Sequence, residues 1–72
     1  MSSPEDLRRQ AMKEEILKDI KKHPGTWVED ISRRLGWNRQ TVGNYVRMLE
    51  SDKSIYTMKK GAMIEIWPAN GK

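Results

Sequence analysis

Apolar positions recur first at helical spacing and then at strand spacing, and the change falls near Ser54. Leu7, Ala11, Met12, Ile16, Leu17 and Ile20 follow the period of an amphipathic helix. Ser3 is placed to cap it, Pro4 suits a first helical position that needs no N–H, and Asp6 completes a Ser-x-x-Asp capping box. Lys21-Lys22-His23 complements the negative end of the helix dipole, and Pro24-Gly25 stops the chain. The first helix is therefore expected over about 4–22.

A second box opens at once in Thr26-Trp27-Val28-Glu29, with Thr26 as cap and Glu29 reaching back to it. Val28, Ile31 and Leu35 share a face, Glu29 and Asp30 suit the N-terminal dipole, and Arg33-Arg34 the C-terminal one. Gly36 ends this helix, about 27–35, as a left-handed cap. Asn38 caps a third over about 39–50, where Val42, Tyr45, Val46 and Leu49 recur at three- and four-residue spacing. Two short helices joined by three residues with a glycine form the helix-turn-helix pattern.

After Ser54 the period becomes two. Ile55–Lys59 and Ala62–Trp67 flank Lys60-Gly61 and read as a hairpin over about 55–67. Pairing Lys59 with Ala62 sets Thr57 opposite Ile64 and Ile55 opposite Ile66. Ile55, Ile64 and Ile66 then face the core, with Tyr56, Met58, Met63, Glu65 and Trp67 on the other side. The Lys-Gly pair leaves the turn type open. Pro68 ends the strand and opens a tail over 68–72, of which Ala69–Lys72 are expected to be loose.

Length and composition narrow the class. Seventy-two residues, 36% hydrophobic and 33% charged, suffice for one small domain over 1–72 without internal repeats or linkers. With no cysteine and a single histidine, His23, neither a disulfide framework nor a usual zinc site is expected. No apolar run approaches the length of a membrane span, and the charged start does not read as a signal peptide. Met1 is expected to mark a natural start and the chain to be cytoplasmic. Glu14-Glu15 and Glu29-Asp30 are neighbours on helices, so their carboxylates diverge, and no serine or threonine has a plausible histidine partner. The expectation is a protein that is not an enzyme, with no cofactor, no metal and no membrane partner.

Charge is unevenly spread over a net +4. Residues 31–64 carry Arg33, Arg34, Arg39, Arg47, Lys53, Lys59 and Lys60 against Glu50 and Asp52, whereas residues 1–30 are nearly balanced. An anionic partner for the central segment, or simple solubility, accounts for this. On the third helix Arg39, Gln40, Gly43, Asn44 and Arg47 fall opposite the apolar face within an arc of about 140°. These five positions include no acid and no lysine. Arginine bonds guanine bidentately, and glutamine or asparagine bonds adenine in the same way. Gly43, which costs about 1 kcal/mol against alanine in mid-helix, either permits close approach of a partner or is merely tolerated. Thr41 and Tyr45 flank the stripe with hydroxyls within reach of phosphates, with core packing the alternative for Tyr45, while Asn38 reads as the helix cap at an N-terminus whose neighbouring residues face phosphate favourably. Arg33 and Arg34 read as dipole partners or solvated charges.

The order helix, helix-turn-helix, two-stranded hairpin resembles the winged helix-turn-helix family of DNA-binding domains over about residues 13–67. Its clearest part is Asn38-Arg39-Gln40-Thr41-Val42-Gly43-Asn44-Tyr45-Val46-Arg47-Met48-Leu49-Glu50, which looks like that family's recognition helix. The resemblance implies an α+β fold of three helices followed by a β-hairpin wing. It further implies a double-stranded DNA partner read in the major groove by the third helix, and a role as a small transcriptional regulator, nucleoid-associated when bound. Lys59-Lys60-Gly61 then forms the wing tip, where two lysines suit a phosphate contact or a solubilised turn. Trp67 beside Pro68 is similar to the Z-DNA-binding relatives of the fold, which place a tryptophan at the end of the wing. Those relatives pair an asparagine with a tyrosine one turn later on the third helix. Here Asn44 is followed by Met48 and Tyr45 is adjacent, so left-handed DNA is not the expected target, and Trp67 reads as a core lid or dimer contact. Trp27 and Trp37 are expected to seal the core edge.

Two rivals stand beside DNA binding. The Met58/Met63/Trp67 face of the wing would serve a winged helix devoted to protein–protein assembly, or a homodimer formed through the wing or the first helix. RNA binding is the other, and the scarcity of exposed stacking aromatics argues against it.

Overall fold

The computed structural model describes residues 3–69. They form α1 (Pro4–Lys22), α2 (Val28–Leu35), α3 (Arg39–Ser51), β1 (Ile55–Lys60) and β2 (Met63–Pro68). The helix boundaries follow from local chemistry. The Ser3 hydroxyl accepts from the Asp6 amide at 3.2 Å, and Asn38 Oδ1 accepts from the Gln40 amide at 2.8 Å. Gly36 closes α2 in the left-handed region at φ 71°, with its N–H on the Ser32 carbonyl. At the end of α3 the Lys53 amide bonds the Glu50 carbonyl and the Ser54 amide bonds the Leu49 carbonyl. That is a Schellman turn, with Lys53 at φ 63° where glycine is usual.

The start of α2 departs from the sequence expectation. Thr26 does not cap it: Trp27 is the N-cap residue and makes no side-chain cap bond, and α2 begins at Val28. Thr26 is buried and extended because the loop after α1 pairs with β2. The Gly25 amide donates to the Ile66 carbonyl at 2.9 Å, and the Ile66 amide to the Thr26 carbonyl at 2.8 Å. The Thr26 hydroxyl accepts from Arg34 Nη2 at 2.7 Å, and the same guanidinium grips Asp19 through Nε and Nη2 at 2.9 and 2.7 Å. Arg34 stands in the last turn of α2, where the dipole favours it, but it is also a specific contact that ties α1, the loop and α2 together. The Asp19 hydrogen bond, aided by the charges of Asp19 and Asp30, raises the Arg34 guanidinium above its ordinary value.

The hairpin register also differs. Lys60 pairs with Met63, Lys59 with Ile64, Thr57 with Ile66 and Ile55 with Pro68, a two-residue shift from the expected pairing. The turn is Gly61-Ala62, with Gly61 at φ 60° and Ala62 outside the positive-φ region. This is the pattern of a type II′ hairpin, which matches the strand twist and places glycine first. A shift of two keeps every side chain on its face but moves Ile64 outward beside Lys59. Ile55 and Ile66 are buried, whereas Ile64 is 51% exposed, because the hairpin extends past the edge of the core. The strand ends at Pro68 as expected, but the Ala69 amide bonds the Ser54 carbonyl, so the first residue of the expected loose tail is tied down. Its last three positions, 70–72, lie outside the described residues.

The core is one cluster of Ile16, Ile20, Ile31, Val42, Val46, Leu49, Ile55 and Ile66, with Leu17, Val28, Leu35, Trp37 and Tyr45 packed against it. Leu7 and Ala11, expected on the apolar face of the first helix, are exposed, because the first turns of α1 project beyond this cluster. Among the described residues no helix is long and apolar enough to cross a membrane.

Candidate nucleic-acid interface

Burial of Val42, Val46 and Leu49 fixes the rotation of α3, and the rotation decides what the helix shows to solvent. Arg39, Gln40, Asn44 and Arg47 are all exposed on the face away from the core. Gly43 lies between them, and nothing stands within 4 Å of where a Cβ would sit. Thr41 is half-buried at the flank, and Asn38 is exposed with its side chain engaged in capping. Lys59 and Lys60 are exposed at the end of β1 next to the turn. Among the described residues Arg47, Lys59 and Lys60 have no ion-pair partner, so their charges remain free for an anion.

Tyr45 sits apart from this group. It packs against the core, and its hydroxyl donates to Met12 Sδ of α1 at 3.5 Å. Trp67 is half-buried, its Nε1 donates to Glu65 Oε1 at 3.3 Å, and its ring lies against Gly25. The outer face of the hairpin is left with Tyr56, Met58 and Met63 exposed, without an exposed Trp67 beside them.

Two acids border the stripe, and neither role was evident from the sequence. Glu50 falls within the same helical arc at its C-terminal end; its carboxylate accepts from Thr57 Oγ1 at 2.9 Å and so couples α3 to the wing. Glu29 does not reach back to Thr26. Its Oε2 lies 2.7 Å from Arg39 Nη1. The two residues meet only because the turn at 36–38 brings the start of α3 back beside the start of α2, which no local spacing reveals. Glu29 also lines a depression of about 220 Å³ with Trp27, Val28 and the wing-tip residues Ala62, Met63 and Ile64. Among the described residues no three histidine, aspartate or glutamate side chains are grouped to hold a metal ion.

Comparison with solved structures finds the crystal structure of the apo Zalpha domain of zebrafish PKZ, at a TM-score of 0.83 and 16% identity, over 88% of this chain and 98% of that one. No family model and no curated protein matches the chain. The likeness establishes a winged helix-turn-helix fold: three helices, the second and third forming the helix-turn-helix, and a two-stranded antiparallel wing.

Proposed function

We propose that this chain binds double-stranded DNA and reads its sequence, with α3 in the major groove and the wing on the backbone, as a small regulator of transcription. The observation that carries this reading is the exposed stripe Arg39, Gln40, Asn44 and Arg47 on a helix whose opposite face is locked into the core. These side chains supply the guanine and adenine pairings that direct readout uses, and a core-anchored helix presents them with little ordering left to do. Asn38 and Thr41 sit at the N-terminal turn of α3, where amides and dipole favour a phosphate. Lys59 and Lys60 contribute sequence-independent attraction. Tyr45 is engaged with Met12 and Trp67 with Gly25, so the reading rests on the polar stripe and not on these rings.

Alanine substitution tests the assignment residue by residue. Each of Arg39, Gln40, Asn44 and Arg47 that bonds a base is expected to contribute about 1–3 kcal/mol, and its loss to relax preference at one base pair. Lys59→Ala and Lys60→Ala should weaken all sequences alike and each lower the salt slope by about one. Gly43→Ala should stabilise the free chain by about 1 kcal/mol and weaken binding, if the groove wall comes close to that position. Unchanged affinity after alanine at all four stripe positions would refute the reading.

A further inference from the structure

The ion pair between Glu29 and Arg39 is the one contact among the described residues that holds a stripe side chain from a different helix. Both side chains are more than half exposed, at 57% and 67%. An exposed pair of this kind does little for the fold. An acid beside a surface that receives phosphates also opposes duplex binding of every sequence. Its position therefore calls for another account than stability or affinity.

The geometry supplies one. Arginine is a planar fork of five N–H donors on a long, flexible stem. With Nη1 on the Glu29 carboxylate, the fork is tethered at one corner, and its Nε and Nη2 edge remains unpaired among the described residues. That edge matches O6 and N7 of guanine. A loose arginine loses its freedom only when it binds, and it swings as readily to a phosphate as to a base. A held one is ordered beforehand and is kept from the phosphates. Among the described residues no other cation pairs with this carboxylate: Arg33 lies on Asp30 at 3.5 Å and Arg34 on Asp19.

We infer that Glu29 is a positioning residue that fixes Arg39 for guanine, so that the base pair beneath the first turn of α3 is read as G·C. The inference rests on the DNA-reading function proposed above and adds a second helix to the readout. It also gives Glu29 a selective effect, since its charge weakens non-specific duplexes while the buttressed arginine favours one base.

The test is a set of titrations on the preferred duplex and on its single-base-pair variants, with the wild-type chain, Arg39→Ala, Glu29→Ala, Glu29→Gln and the double alanine variant. Arg39→Ala identifies the base pair concerned. Glu29→Ala is expected to lose about fivefold in discrimination at that same base pair and nowhere else. The double variant should lose no more than Arg39→Ala alone. Glu29→Gln, which keeps an acceptor oxygen, should fall between wild type and Glu29→Ala. Non-specific affinity should hold or rise in both Glu29 variants, which a damaged fold would not allow. In the free protein, nitrogen-15 relaxation at Arg39 Nε should show greater mobility in Glu29→Ala. Discrimination within twofold of wild type in Glu29→Ala, or a loss spread over all base pairs, overturns the inference while leaving DNA binding intact. A wild-type chain that binds no duplex overturns both.

Discussion

Gly25 shows how a single residue carries two constraints that the sequence displays only as one. Pro24-Gly25 reads as a helix stop, and the structure adds that a Cβ on Gly25 would lie 2.9 Å from Trp67 Cζ2. Its φ of +82° is unfavourable for an L side chain as well. Gly36 has a similar φ of +71° but nothing within 4 Å, so it isolates the conformational cost. Gly36→Ala is expected to lose about 1 kcal/mol and Gly25→Ala about 2–4 kcal/mol, because the Trp67 ring must also move. Urea denaturation measures both, and equal losses would mean that the ring yields freely. Trp67 is legible in the sequence as a lid or a contact, but what it covers depends on strand pairing that brings distant segments together.

Between elements, the ends of the helices were legible and the ties between them were not. Ser3, Gly36 and Asn38 act as caps because capping is a local matter of one side chain or one φ angle. Thr26 has the side chain of a cap on the same local grounds, yet β2 claims its backbone and Arg34 its hydroxyl. The hairpin register differs by two from the one its alternation suggests, because Lys60-Gly61 reads as the turn pair whereas the II′ turn places Gly61 first. The Asp19–Arg34 pair, between an almost buried carboxylate and a one-third exposed guanidinium, is an ion pair that ties α1 to α2. Asp19→Asn and Arg34→Ala are each expected to cost about 1–3 kcal/mol, and the double variant clearly less than the sum. Additive losses in that cycle would remove the pair from the account. Since the folded-state guanidinium is raised, its contribution is fully present below the ordinary arginine value and is lost only as pH rises through the raised one.

For the molecule as a whole, the division of labour is simple. One small core spans the three helices and the base of the wing, and it fixes α3 by one face. Positive charge collects in the half of the chain that forms the α2–α3 turn, α3 and the wing. The stripe on α3 was legible from helical periodicity alone, and Glu50's place within its arc follows from the same periodicity, whereas the Glu29–Arg39 pair and the Glu50–Thr57 bond became visible only with the turn and the wing in place. The account stands or falls on whether this face reads duplex DNA. Fluorescence-anisotropy titration of randomised duplex pools at several salt concentrations asks that directly, with an alternating dC–dG duplex held left-handed as a second arm. The expected result is affinity that falls with salt at a log–log slope of about −2 to −4, enrichment of particular right-handed sequences, and weaker binding in the second arm. Binding with a salt slope but no enrichment, or no binding at low salt, would contradict it.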